Sequence, residues 1–336
     1  MFKSVSVIIP TYQRQSKLAE CLASLARQGL PAGVSMEVVV AIDAGADDEC
    51  PVIAAAPVHT RFIRLPRNGA AAARNSAIEL ARGELLVFFN DDTYLAPDCI
   101  TEHFRAQEMR GEPGMVVGQT QWLARPNPTV FDGLVRDTSM VFFYDGMRAG
   151  QMYGFRHFWT CNASAPAELI RSVGGFEKRL RPVFFEDCEL GFRLERATGT
   201  GVYYPPAAEN VHDHAMTWDE YRARERRLGE MAVRLARANP ECFSAIYGTS
   251  DVVALARRFA EALELDRGDR NRAERELGRW VNRPLHEVRD WASMKQMLYL
   301  LHLPIKRALF REAFLMELER GEVEMSHPVL QREMSL

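Results

Sequence analysis

Five consecutive apolar residues, Leu85-Leu86-Val87-Phe88-Phe89, run without a break into Asn90-Asp91-Asp92. A short apolar run bounded by polar residues reads as a buried strand. Ending in two carboxylates, it delivers them to the C-terminal edge of a sheet, where open α/β sheets bind their ligands. Adjacent acids repel one another unless a cation or a proton neutralises them. An oxygen-rich pair of this kind suits Mg²⁺ or Mn²⁺ carrying a substrate phosphate. The competing expectation is a polar turn that caps the next helix, because Asp91-Asp92-Thr93 stands just before Ala96-Pro97.

The flanking pattern alternates strands with helices. Residues 5–10 predict a strand stopped by Pro10, and Leu18, Cys21, Leu22 and Leu25 then recur at helical spacing. Residues 37–42 and 61–65 read as further strands, the first followed by an acidic turn over 43–48. Residues 70–81, rich in alanine, predict a helix. Over residues 4–110 this order implies right-handed βαβ units and a mainly parallel sheet with flanking helices. The middle is less regular, with a break at Arg125-Pro126-Asn127-Pro128 and aromatic clusters at 142–144 and 153–155. A short helix at 165–172, a Gly174-Gly175-Phe176 turn, a helix at 186–197 and a strand at 201–205 follow. Beyond residue 215 the pattern is helical, with one stripe at Tyr221, Leu228, Met231, Ala232 and Leu235 and another at Trp291, Met294, Leu298 and Leu301. Pro304 predicts a kink or a restart of the last helix.

At 336 residues the chain exceeds what one core usually supports. Its net charge of −3 carries no clustered basic excess, which argues against nucleic acid as a partner. Six cysteines without a CxxC spacing read as free thiols of a reducing compartment. The N-terminus runs straight into a strand with no leader pattern, and no apolar run reaches the about 20 residues that span a bilayer. The expected location is therefore cytoplasmic. A peripheral contact with the inner face of the membrane is an added expectation, since 294–318 mixes Lys295, Lys306, Arg307 and Arg311 with Leu298, Leu301, Phe310 and Phe314.

Several side chains carry candidate chemistry, each against a structural alternative. Pro10, Thr11, Tyr12 and Arg14 lie at the end of the first strand, where a hydroxyl, a ring and a guanidinium suit a nucleoside and its phosphates; an ordinary βα loop would look the same. Asp43 ends the second strand and can accept from a base N–H or a ribose hydroxyl, or simply form a turn. Arg74 sits in a small-residue helix start, Asn68 to Asn75, that favours an anion without matching GxGxxG or a Walker loop. Glu186 and Asp187 follow Phe184-Phe185, and an apolar wall raises a carboxylate into the range of a general base. His212 and His214 share one face of an extended segment, a credible partner set for a carboxylate at a metal.

The order of these motifs resembles family 2 glycosyltransferases of the GT-A fold, over roughly residues 4 to 240. Val5 through Arg14 is similar to the family's VSVIIPTYNR start, and Val38 through Asp43 to its VVVVDD strand. Gly69 through Asn75 resembles its G…ARN element. Asn90-Asp91-Asp92 falls at its metal-binding DxD, with Asn90 in place of the first aspartate. Cys161-Asn162, Gly174-Gly175-Phe176 and Glu186 through Leu194 are similar to its CN, GGF and EDxDLGWRL elements.

The resemblance implies an α/β GT-A fold, Rossmann-like, followed by an α-helical C-terminal region. Residues 1–214 would form the nucleotide-sugar-binding catalytic domain, 215–245 a helical extension of it, and 246–336 a helical region for acceptor docking, oligomerisation or a membrane surface. It further implies an inverting transfer from a UDP-sugar, with GDP and dTDP as alternatives, to a glycan, lipid-linked or protein acceptor. Asp187, with Glu186, would be catalytic. Pro10, Thr11, Tyr12, Arg14, Asp43, Arg74, Asn90 and Asp91 would bind the nucleotide. Asp92, His212 and His214 would hold Mn²⁺ or Mg²⁺, and Trp159 and Asn162 would face the acceptor. The C-terminal helices would offer a homodimer contact. A metal-dependent nucleotidyltransferase or hydrolase, and a catalytically silent scaffold of the same fold, are the rival readings.

Overall fold

The structure, a computed structural model, describes residues 2–43, 49–181 and 183–325. The acidic turn expected after Asp43 lies outside the described residues at 44–48. The chain divides into two compact units, Met1–Leu123 with Tyr144–His214, and Ala124–Phe143 with Ala215–Leu336.

The strands of the first unit are, in chain order, β1 (Ser4–Thr11), β2 (Ser35–Asp43), β3 (Thr60–Leu65), β4 (Leu85–Phe89), β5 (Thr93–Leu95), β6 (Val116–Val117), β7 (Gln119–Trp122), β8 (Met152–Tyr153), β9 (Asn162–Pro166), β10 (Val202–Tyr203) and β11 (Glu209–His212). They form a sheet of order β3-β2-β1-β4-β9-β6-β10-β8 and a smaller one of order β5-β11-β7. β1 to β4 are mutually parallel, and Val7 lies between Val38 and Val87. β9 runs antiparallel between β4 and β6.

The side-chain period of two explains the unbroken apolar runs. Leu85, Val87 and Phe89 enter a core with Leu18, Leu22, Ile100 and Phe104 from the helices Gln15–Leu25 and Cys99–Met109. Leu86 and Phe88 enter the opposite core with Ala73, Ala77, Leu190 and Leu194 from the helices Ala70–Leu80 and Glu186–Thr198. A strand covered on both faces has no polar side to present. Burying each of these large side chains contributes about 1.5–3 kcal/mol, so the strand that carries the acids is among the most firmly held.

Two local expectations change. β1 continues through Pro10 to Thr11 along β2, whereas its pairing with β4 ends at Ile8. The missing N–H of Pro10 therefore falls where one neighbour has already been lost. Asp91 and Asp92 do not cap a helix, because β5 intervenes and the next helix starts at Cys99 behind Asp98.

The second unit is helical. Thr129 and Asp132 form a reciprocal capping box at the start of Val130–Asp137, and the Trp291 indole donates to Asp137 at 2.6 Å. Phe131 packs on Trp218 and Tyr221 of the helix Trp218–Ala238. Gly229 of that helix sits against the Phe310 backbone, where a Cβ would come within 2.2 Å of the carbonyl oxygen. The last helix, Trp291–Met325, runs through Pro304 rather than restarting there. Buried Leu298, Ile305, Leu309 and Phe314 on either side supply packing that outweighs one lost backbone bond. Several of the residues that suggested a membrane surface are engaged inside this unit: Leu298 and Phe314 are buried, Arg311 pairs with Asp266, and Lys306 faces Glu225, while Arg307 is exposed. Among the described residues no helix is long and apolar enough to cross a membrane.

Candidate active site

The site is assembled at the C-terminal ends of β1, β2 and β4. Asp43, the last residue of β2, accepts from the backbone N–H groups of Asn68 (2.7 Å) and Gly69 (3.0 Å). Gly69 holds φ +86°, a left-handed value that glycine adopts without a Cβ clash. Asp43 thus pins the turn that starts the helix Ala70–Leu80 and, one turn in, Arg74. The Arg74 guanidinium is buried, donating to Glu186 Oε1 and to Asn90 Oδ1, both at 3.2 Å, above the Phe176 ring. Asn75 brackets the backbone of Phe176 with two hydrogen bonds, which ties the Gly174-Gly175-Phe176 turn to the same helix.

At the end of β1, Thr11 donates to Asp91 at 2.8 Å. Gln13 then takes a left-handed φ of +53°, and Arg14 reaches back with Nη1 to Asp92 at 2.6 Å and Asp91 at 3.3 Å. Burial, with the charge of Asp92, pushes the Asp91 carboxyl above its ordinary range against Arg14 and Thr11. Burial would raise Asp92 too, but hydrogen bonds from His212 and His214, with the charges of His212 and Arg14, hold it well below the carboxylate range. The two adjacent acids are therefore shifted in opposite directions. Tyr12 lies under the Arg67 guanidinium, 4.4 Å from ring centroid to Cζ.

β11 runs antiparallel to β5 and sets His212 opposite Thr93, beside Asp92. His212 Nε2 lies 2.9 Å from Asp92 Oδ1, and His214 Nδ1 lies 3.4 Å from Oδ2. The imidazoles stack at 5.5 Å, as the shared face of an extended segment allows, and Trp122 packs on His212 at 5.2 Å. Each of the three residues offers one ligand atom, all within 4.8 Å of one another, the one such group among the described residues. A carboxylate with two imidazoles fits a divalent transition ion better than Mg²⁺, which prefers an all-oxygen shell.

The intervening Asp213 was not singled out by the sequence reading. Its carboxylate meets Lys17 and the Tyr94 hydroxyl, the latter at 2.6 Å, while its N–H donates to the Asp92 carbonyl at 2.7 Å. This clamp fixes the corner that presents both histidines. Its signal in the sequence is an acid between two histidines and a lysine one helical turn beyond Arg14.

Glu186 and Asp187 open the helix Glu186–Thr198, entered through Phe184 and Phe185 at φ +85° and +66°. Such values cost an L-residue about 1–3 kcal/mol each and persist only where the surroundings hold them. They turn the acids toward Arg74 rather than along the preceding loop. Burial first, and the Glu186 charge second, push Asp187 up to about 7, while Arg74 and backbone N–H groups pull the other way. Trp159 is half-buried in a turn whose next residue, Thr160, hydrogen-bonds Asp187 through its backbone. The Trp159 ring meets Tyr144 edge-on at 4.9 Å. Asn162 is fully buried at the start of β9. It accepts from His103 Nε2 at 2.9 Å and donates to the Gln119 and Ala208 carbonyls, so its side chain braces the two sheets.

Comparisons with known proteins identify the family and the fold. The profile described as "Glycosyl transferase family 2" matches residues 6–157, and "Glycosyl transferase family group 2" matches residues 85–259, just over half the chain. Validoxylamine A glucosyltransferase of Streptomyces hygroscopicus subsp. limoneus is 27% identical over 215 residues, 56% of this chain and 47% of its own. The uncharacterized glycosyltransferase YfnE of Bacillus subtilis is 33% identical over 240 residues, 57% of this chain and 60% of its own. The chain thus spans about half the length of the curated relatives it matches. Among solved structures, S. aureus TarS 1–349 in complex with UDP superposes with a TM-score of 0.51 at 14% identity, covering 95% of this chain and 92% of that one. The mannosyltransferase PcManGT of Pyrobaculum calidifontis, in complex with GDP-Man and Mn²⁺, gives 0.51 at 19%, covering 92% and 87%. At these identities the likeness is one of fold: a mainly parallel mixed sheet with flanking helices, followed by a helical region. Matched by profile over more than half its length, the chain belongs to glycosyltransferase family 2.

Proposed function

We propose that the chain transfers a sugar from a nucleoside diphosphate sugar, UDP-linked, to an acceptor hydroxyl with inversion at the anomeric carbon. The observation that carries this reading is the convergence of Asp92, His212 and His214, with ligand atoms within 4.8 Å, on the sheet edge that also gathers Arg14, Asp43 and Arg74.

Asp43 is assigned to the base, and Arg14 and Arg74 to the negative charge of the diphosphate, where a planar guanidinium suits phosphate oxygens. Asp92, His212 and His214 are the residues that would hold Mn²⁺. Bound there, the ion supplies a Lewis acid that offsets charge on the departing diphosphate. Asp187 takes the proton of the acceptor hydroxyl. That oxygen forms its bond to the anomeric carbon as the bond to the diphosphate oxygen breaks on the opposite side, and the single displacement inverts the centre. Trp159, next in sequence to the Thr160 that hydrogen-bonds Asp187, is assigned to the acceptor; Asn162 is better understood as a brace between the two sheets.

The test is a product analysis of the full chain with UDP-sugars, Mn²⁺ and glycan, lipid-linked and protein acceptors. Free UDP matched by glycosylated acceptor of inverted configuration is the expected result. Sugar 1-phosphate, with UMP or with a uridylylated acceptor, would point to hydrolysis or nucleotidyl transfer, and UDP binding without turnover on any acceptor to a silent scaffold.

A further inference from the structure

The oxygen of Asp92 that faces His214 is already engaged. Arg14 Nη1 lies 2.6 Å from Asp92 Oδ2, and His214 Nδ1 lies 3.4 Å from that same atom. The other oxygen, Oδ1, faces His212 at 2.9 Å. A divalent ion coordinated by Asp92, His212 and His214 therefore meets a guanidinium on the same carboxylate that would hold it. Two cations so close repel strongly where water is scarce, and the Asp92 and Asp91 side chains are only 3% and 6% exposed.

Arg14 is far less enclosed than the acids. Its side chain is 43% exposed. It leaves from a non-helical position at the head of the helix Gln15–Leu25, just after the left-handed turn at Gln13. Both of its contacts with the acids run through a single terminal nitrogen. A diphosphate can engage the same guanidinium through two parallel charge-assisted bonds, where the acids meet only one of its nitrogens.

We propose that Arg14 is a resident counter-charge on Asp92, competing with the metal ion and drawn off it by the diphosphate, so that metal and nucleotide binding are coupled through this one side chain. The inference rests on the donor-site reading above. By linkage the coupling is reciprocal: whatever factor UDP adds to Mn²⁺ affinity, Mn²⁺ adds to UDP affinity.

The test is a four-corner binding cycle on the full chain. Mn²⁺ binding is measured by electron paramagnetic resonance of the free ion, with and without saturating UDP, for the wild type and Arg14→Gln. Glutamine keeps a hydrogen-bond donor for the acids and removes the charge. Arg14→Lys, which keeps the charge, is run beside it and should retain the wild-type coupling. In the wild type, UDP should tighten Mn²⁺ binding strongly. In Arg14→Gln, Mn²⁺ alone should bind about tenfold tighter and the tightening by UDP should shrink by a comparable factor, within the usual range of such couplings. A change in Mn²⁺ affinity that is the same with and without UDP would overturn the proposal, since a static neighbouring charge does that. No change at all would overturn it too. If neither protein binds Mn²⁺ even with UDP, the metal site falls and this inference with it, while a UDP-induced rise in thermal stability would still leave the donor site standing.

Discussion

Arg74 and Glu186, 112 residues apart in sequence, form an ion pair at 3.2 Å with both side chains buried. The pair stands directly before Asp187, and its two charges act on that carboxyl in opposite directions. Asn90 takes the other Arg74 nitrogen as a neutral acceptor, so Glu186 is the charged side chain paired with Arg74. The pair is thus placed to set where the proposed base titrates.

Glu186→Gln removes the repulsion that helps raise Asp187 and leaves Arg74 to lower it. The acid limb of the kcat/KM profile is expected to move from near pH 7 to lower pH, because the carboxylate then persists in more acidic solution. A rate–pH profile of the variant checks this, and an unmoved limb would separate Glu186 from the base.

Asp187→Asn keeps the size of the side chain and abolishes its basicity. A loss of about 10²–10⁴-fold in kcat is expected, the usual worth of a general base, with UDP affinity unchanged. Parallel turnover and UDP titrations would show it. A variant active to within a few-fold would place the base elsewhere.

Asp213 supports the two histidines rather than offering a ligand atom to their group. Asp213→Asn loosens the contacts with Lys17 and Tyr94 and is expected to weaken Mn²⁺ binding about tenfold, the scale seen for residues that orient metal ligands. Calorimetric Mn²⁺ titration in saturating UDP measures it. Equal affinity in variant and wild type would make the clamp a matter of folding alone.

His103 gives the fold an acid sensitivity of its own. Its Nε2 faces Asn162 Oδ1 and its Nδ1 faces Ser164 Oγ, an arrangement that suits a neutral ring, and burial pushes its pKa down to about 4. The unfolded chain binds this proton near pH 6.5 and the folded chain only near pH 4. Stability is therefore whole above about pH 6.5 and falls as pH drops toward 4, by at most about 3 kcal/mol from this residue. His302 in the second unit, pushed down to about 4 by burial, adds a like contribution. Melting temperatures of wild type and His103→Gln at pH 7.5 and 5 should differ, with a smaller acid drop in the variant.

The first unit was readable because its strands announce themselves. Val38 through Ile42 and Leu85 through Phe89 are unbroken apolar runs, a pattern that only a strand covered on both faces requires. The acids at their ends followed from the same logic, and the pairing of His212 with His214 from the period of an extended chain. The residues of the Asp213 clamp and of the His103–Asn162 brace are visible in the sequence, but their pairing was not readable. Each joins residues 59 or more positions apart, and neither partner is an unusual residue for its local element. Arg14 was legible as a candidate for phosphate but not as a partner of Asp92, since that contact depends on a left-handed turn at Gln13. The unbroken course of the last helix through Pro304 reflects buried packing on both sides of it, which outweighs local propensity.

On the proposed reading, nucleotide affinity at the donor site runs through a cation at Asp92. Thermal unfolding of wild type and Asp92→Asn, each with UDP, Mn²⁺ or both, tests it most directly. A ligand at 100 times its Kd adds about 2.7 kcal/mol of stability. The wild type should be stabilised by UDP with Mn²⁺ well beyond the sum of either alone, and Asp92→Asn should lose that excess. A UDP shift of equal size with and without Mn²⁺, and equal in both proteins, would contradict the claim.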